Sequence, residues 1–378
     1  MKKSIIAVII TAFSCSAAQA GSLSEDYSNM KNYLNNNYGL SYNLDYSVLL
    51  QRTSPSGKNN AFQSYLAPDI AWTTFNNRYG TGTLNASYTS IFYGNHNADN
   101  LANNSGFVTP INDFADNTQE FSALYYTYQL PHQYNWMTFG VGQYSLFDFD
   151  GTDYDNNQQV NFLNDSLAQN ASAVYASAGL GAYMQATPQN WSFIAGMQDG
   201  SNIDATSVSV NTFHDGHYTT FGQVAYTPYI SGLGDAQYSF MLYYQPYVEQ
   251  QPQSNTGWSF NAQQNIGKKL AVFGRINGVS GDMAEIKNSY VAGMVYNNPL
   301  NRNDLDQIGL AYAYNDICAE AVGEDLANNA EHVIEAYWAW GISKLATLTP
   351  DLQFYINPAL NQKSDYGTAA SLRLSVFF

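Results

Sequence analysis

Hydrophobic and polar positions alternate with a period of two along most of this chain. Leu40, Tyr42, Leu44, Tyr46, Val48 and Leu50 share one parity, against Ser41, Asn43, Asp45 and Ser47 on the other. The tail repeats the pattern three times. Glu331, Val333, Glu335, Tyr337 and Ala339 interleave with His332, Ile334, Ala336, Trp338, Trp340 and Ile342, which are almost wholly apolar. Leu348, Pro350, Leu352, Phe354 and Ile356 interleave with Thr349, Asp351, Gln353, Tyr355 and Asn357. Ala370, Leu372, Leu374, Val376 and Phe378 interleave with Ser371, Arg373 and Ser375. Side chains of a strand point alternately to its two faces, so each segment has an apolar and a polar side. Further strand signals fall at 62–77, 80–93, 118–130, 134–146, 174–187, 190–199, 217–230, 234–247, 256–266, 269–280, 287–298 and 305–316. The parity of 217–230 is ambiguous. With the first segment and the tail at 330–344, 346–357 and 367–378, the set comes to about 16, an even number as single-chain bacterial barrels have.

A soluble sandwich also shows alternation. The connections separate the two cases. Alternate ones are short: 77–80, 131–134, 187–190, 231–234, 266–269, 298–305 and 343–346. The interleaved ones are longer and rich in Asn, Asp, Gly and Ser: 95–117, 147–172, 200–216 and 318–329. Membrane barrels have short periplasmic turns and long extracellular loops. The fold class expected is therefore all-β, a transmembrane antiparallel β-barrel of residues 39–378 with both termini in the periplasm. Residues 21–38 are polar, with Tyr27, Met30 and Leu34 at helical spacing, and predict a short N-terminal periplasmic helix.

Composition fits this. Charged residues are 12% and aromatics 15%, including 31 Tyr; few charges beside many tyrosines suit the aromatic girdles of a barrel. Lys2 and Lys3, the apolar run from Ile5 to Phe13, and Ala18-Gln19-Ala20 read as a secretory signal, residues 1–20, with cleavage after Ala20. Loss of its two lysines takes the formal charge from -16 to -18. That excludes nucleic acid as a partner, since phosphate binding needs clustered Lys and Arg. Cys318 is then the sole cysteine, so no intrachain disulfide forms. The expected location is the bacterial outer membrane, in contact with its lipid.

Several motifs resemble the OprB-type carbohydrate-selective porin family. They are Ile334-Glu335-Ala336-Tyr337, the run from Leu348 to Pro358 with its Thr-Pro-Asp-Leu-Gln core, Phe273-Gly274-Arg275, Asp306 to Ala311, Trp136 to Gln143, and Asn161 to Ser166. The terminal Phe378 resembles the assembly signal that the barrel-assembly machinery reads. The resemblance implies passive diffusion of small hydrophilic solutes, sugars above all, and no enzyme activity. The chain departs from the family in being acidic and poor in Trp and Arg.

Candidate site residues follow from parity. Arg275 and Arg373 are the only mid-strand basic residues at lumen parity; Asp45, Asp69, Glu335 and Asp351 are acidic counterparts. Arg or Lys facing lipid at mid-membrane costs about 2–4 kcal/mol, so these charges face inward. They form either a belt that sets selectivity or a salt bridge that only braces the wall. Tyr337, Gln353, Tyr355 and Asn357 offer polar and aromatic groups for a sugar. Asp148, Asp150, Asp153 and Asp155 lie in the third extracellular loop, which in the family reading narrows the pore; a calcium loop is the other reading of this acidic run, though its spacing fails the EF-hand pattern. No cofactor or metal is expected: the pair His214 and His217 lacks further ligands. The solute is expected to be a small sugar or other hydrophilic molecule, and a monomer is favoured over a trimer. The -18 charge keeps a general cation-favouring porin open, and a surface adhesin or barrel-embedded lipid hydrolase is the alternative of another class.

Overall fold

The computed structural model describes residues 17–378 apart from 56–59, 204, 206, 209 and 324, and for 17–26 the backbone alone. Residues 1–16, most of the expected signal sequence, lie outside the described residues. Helix α1 (Ala17–Tyr38) precedes the sheet. The strands are β1 (Leu40–Ser54), β2 (Asn60–Asn77), β3 (Gly80–Tyr93), β4 (Thr118–Gln129), β5 (Met137–Tyr144), β6 (Gly179–Ala186), β7 (Trp191–Asp199), β8 (Tyr218–Tyr226) and β9 (Tyr229–Ile230). Then come β10 (Gly234–Gln245), β11 (Asn255–Ile266), β12 (Leu270–Val279), β13 (Ile286–Asn297), β14 (Gln307–Ile317), β15 (Ala330–Gly341), β16 (Ala346–Ile356) and β17 (Tyr366–Phe377).

All pairings between these strands are antiparallel, and β1 pairs with both β2 and β17, so the sheet closes on itself. The two-residue β9 pairs with β10 beyond the end of β8, leaving 16 strand positions around the wall. Each predicted strand is present. The ambiguous stretch 217–230 is broken at Thr227-Pro228 between β8 and β9. Its inward face carries Phe221 and Ala225, both buried, because it packs on a loop inside the barrel instead of facing water.

Burial follows the alternation. Outward Leu50, Val141 and Leu352 are 52%, 59% and 53% exposed, whereas inward Ser47, Gln51 and Asn277 are at most 2% exposed. A closed barrel satisfies every strand backbone group within the wall, which is the condition for crossing hydrocarbon. The seam ends on the last residue: Leu44 N–H donates to the Phe378 carbonyl at 2.8 Å and Phe378 N–H to the Leu44 carbonyl at 2.9 Å.

α1 starts before the expected residue 21 and ends as expected before Gly39. Gly39 adopts φ +66, donates its N–H to Asn35, and would drive a Cβ to 2.6 Å from the Thr73 carbonyl. The face packed on the barrel contains Tyr27, Lys31 and Leu34; Met30, 47% exposed, is not on it. The segments 94–117 and 145–178 fold into the lumen. The first contains a helix, Ala98–Ser105, capped by Asn97 and closed at Gly106 with φ 74. Its one large apolar residue, Leu101, gives no periodicity to read, so the sequence shows only a loop there.

Deleting Phe378 removes two seam hydrogen bonds and the ring that meets Tyr27 edge-on at 6.2 Å. Wild type should run faster unboiled than boiled on a detergent gel, as closed barrels do. The truncated protein should lose surface-exposed, heat-modifiable material by roughly tenfold; normal surface levels would show the terminal residue to be dispensable.

Candidate functional site

The inward charges of the tail strands meet peptide backbone. Glu335 on β15 accepts N–H bonds from Leu163 at 2.6 Å and Asn164 at 2.9 Å. Arg373 on β17 donates to the carbonyls of Gln158, Val160 and Asn161. Ser375, two residues on, donates to the Gln159 carbonyl at 2.9 Å. One stretch of loop, 158–164, is thus held by its carbonyls to a cation and by its N–H groups to an anion. Glu331 does the same for two other segments, accepting from Val108, Thr109 and Ala359. Charge-assisted bonds of this kind are about twice as strong as neutral ones.

Arg275 on β12 pairs with Asp155 at 3.1 Å, both side chains fully buried, and donates Nε to Asn261 at 2.9 Å. Asp150 accepts from Ser259, Asn261, Asn170 and Tyr175. Asp155 accepts from Thr152 as well. The protein's own donors, the Arg275 guanidinium among them, occupy these two carboxylates, which is against the calcium reading. Asp153 is exposed and exchanges two 3.0 Å bonds with Gln263. Aromatic contacts finish the seal: Phe107 stacks on Tyr355 at 3.8 Å, and Phe162 meets Tyr337 edge-on at 4.9 Å.

The loops therefore fill the lumen from β6 round to β17 and leave a passage on the side of β1–β4. Its wider part has a volume of about 690 Å³ and is lined by Asp45, Asp69, Asp113, Asp116, Glu120, Asp148 and Asp150, with Tyr65, Phe114 and Phe147 among them. A second chamber of about 230 Å³ continues toward the turn end, sharing Asp69, Ser87, Ser122 and Asp148 and ending at Ser41, Tyr42 and Asn43. Among the described residues, no Lys or Arg lines either chamber. Asp148 is open to the water of the lumen yet deep within the barrel. That depth, with Asp69 nearby, pushes its carboxyl up to about 6. Burial, then Asp165 and Glu120, pushes Asp113 up to about 8.

The structure thus divides the residues singled out from sequence. Asp45, Asp69, Asp148 and Asp150 line the passage. Arg275, Glu335, Tyr337, Asp351, Gln353, Tyr355 and Arg373 point inward, but they are buried under the loops and line neither chamber. Parity fixes the face of a side chain and not what covers it. Asn357 follows the end of β16 in a left-handed turn, φ 55, instead of lining the wall. Asp153 and Asp155 lie off the passage. Asp113 and Asp116 sit in an irregular loop, where no alternation marks an inward side, and Glu120 stands at the start of β4, where a register shift against β3 between Ser87 and Thr89 breaks the alternation.

Residues 211–378 match the family model for carbohydrate-selective porins, OprB family. A porin AaxA of Chlamydia abortus is 39% identical over 304 residues, 80% of this chain and 67% of that protein. A porin AaxA of Chlamydia pneumoniae is 37% identical over 346 residues, 88% of this chain and 78% of that one. Among solved structures, Pseudomonas putida OprB at high pH superposes with a TM-score of 0.76 at 13% identity, covering 93% of this chain and 97% of its own.

Removing the shared acceptor of two buried backbone N–H groups leaves both unsatisfied, at a cost of about 1–3 kcal/mol each. Glu335→Ala should therefore release the stretch 158–164 while the barrel persists. Limited proteolysis of the membrane-embedded protein should cut between 155 and 175 at least tenfold faster in the variant. An equal rate would show that the apolar contacts alone hold the loop.

Proposed function

Because this chain belongs to the OprB family of carbohydrate-selective porins, and is an outer-membrane channel and not an enzyme, we propose that its solutes cross by the acidic passage between β1–β4 and the inserted loops. The carrying observation is that seven carboxylates and no basic side chain among the described residues line its wider part. Neutral sugars find hydroxyl and carboxylate partners there, in Ser87, Thr89, Ser122 and the acids, and ring faces in Tyr65 and Phe114. Charged groups in a narrow pore also bias which ions enter. The same passage therefore favours cations over anions, which combines the family reading with the cation-favouring one. Arg275 and Arg373 do not offset these acids, because each is already engaged by the loop that it holds.

The arrangement of termini and turns supports a periplasmic position for α1, as short turns of bacterial barrels face the periplasm. We infer cleavage after Ala20, delivery through the barrel-assembly machinery by way of Phe378, and a monomeric pore with its passage inside one chain.

Liposomes holding the purified protein should swell with small neutral sugars and with lysine, and at least fivefold more slowly with glutamate at equal size. Equal rates for lysine and glutamate would refute the charge preference; no swelling with any of them would refute the passage.

Acidification should weaken the preference. Asp148 and Asp113 are ionised above about 6 and about 8, and lose their charge as pH falls through those values. The cation preference, read as reversal potential across a planar bilayer under a KCl gradient, should be full at pH 9 and decline through pH 8 and 6. Asp113→Asn with Asp148→Asn should start lower and flatten this profile, whereas an unaltered profile would exclude both residues.

A further inference from the structure

We propose that α1 sets Lys31 as a fixed positive charge at the periplasmic exit of the acidic passage, so that the pore passes current unequally in its two directions. This rests on the passage described above. The exit chamber ends on Ser41, Tyr42 and Asn43 at the start of β1. Lys31 Nζ donates to Asn43 Oδ1 at 3.0 Å, binding directly to a residue of that lining.

The lysine is held on three sides. Its ammonium lies 5.4 Å from the centre of the Tyr27 ring and 5.2 Å from that of Tyr42. A cation within about 6 Å of a ring face is attracted by its quadrupole. Tyr27 is itself pinned, meeting Tyr42 and Phe378 edge-on, each at 6.2 Å. Tyr27 and Lys31 are four residues apart, one turn along the same helix face, so a docked Tyr27 fixes where Lys31 points. Gly39 ends the helix against Thr73 and ties its other end to the rim. A flexible leader would leave a lysine free to trail in solvent; this one is clamped to the mouth.

The consequence is an asymmetric charge profile. Carboxylates line the wider chamber, and one cation stands where that chamber's narrower continuation opens. A cation moving outward meets the positive charge first, and one moving inward meets it last. The influence of a single exposed charge reaches about 10 Å at 0.1 M salt and about 3 Å at 1 M. The asymmetry belongs to low salt.

Single-channel current–voltage curves of the mature protein in planar bilayers test this, each channel giving its own ratio of larger to smaller current at opposite voltages. In 0.1 M KCl the wild-type ratio should exceed one. Lys31→Gln should bring it close to one, Lys31→Arg should retain it, and Tyr27→Ala, which frees the lysine, should lower it. In 1 M KCl all four proteins should converge. Heat-modifiable migration confirms that each barrel is intact. A conducting, cation-preferring wild type whose ratio is unchanged by Lys31→Gln overturns this inference alone. A wild type without cation preference overturns the passage reading and this inference with it.

Discussion

The interior of this barrel depends on one contact: a short peptide stretch, 158–164, gripped by an anion through its N–H groups and by a cation through its carbonyls. Glu335 and Arg373 are each at most 1% exposed. A charge buried in protein is tolerable when hydrogen bonds replace its hydration. The loop backbone supplies those bonds, and the wall charges supply partners for a backbone that would otherwise be buried without a sheet to satisfy it. Glu331 and Arg275 extend the principle to the segments around Thr109 and Asp155.

This division of labour decides what a solute meets. A barrel of 16 strand positions encloses far more space than a small solute needs. Packing loops on the wall from β6 to β17 removes most of it and leaves a lane against β1–β4. The basic residues of the lumen are spent on the loops, whereas Asp45, Asp69, Asp113 and Asp148 face the lane. The net charge of the chain is -16, but selectivity follows from which charges stay open to water and not from the total.

Most of the wall was legible from sequence. Strict alternation from Leu40 to Leu50 and through the tail is a property of residues that see lipid on one side, and the sorting of loop lengths gave the topology. The contents of the lumen were far less legible. Alternation places Arg275, Tyr337 and Gln353 on the inner face, but the inner face has two environments, water and inserted loop, and period-two patterning is the same in both. The distinguishing signal lies in the loops themselves. Phe107, Val108, Ile111, Phe162, Leu163 and Leu167 are at most 8% exposed. Six such residues in segments otherwise rich in Asn, Asp and Ser have no reason to sit on an outer surface, and they mark loops that turn inward. Phe221 and Ala225 on β8 carry the same information from the wall side, since their apolar inner face matches Phe149, which stacks on Phe221 at 5.8 Å.

Thiol accessibility distinguishes the two halves of the lumen most directly. In a Cys318→Ser background, a cysteine at Ser122 faces the open lane, and one at Ser375 lies under the loop beside Arg373, at 1% exposure. Both positions point into the same barrel. With a positively charged methanethiosulfonate reagent applied to open channels, Ser122→Cys should lose conductance rapidly and Ser375→Cys should react at least a hundredfold more slowly. Comparable rates at the two positions would mean that water reaches the whole inner wall, contradicting a lumen divided by a clamped loop.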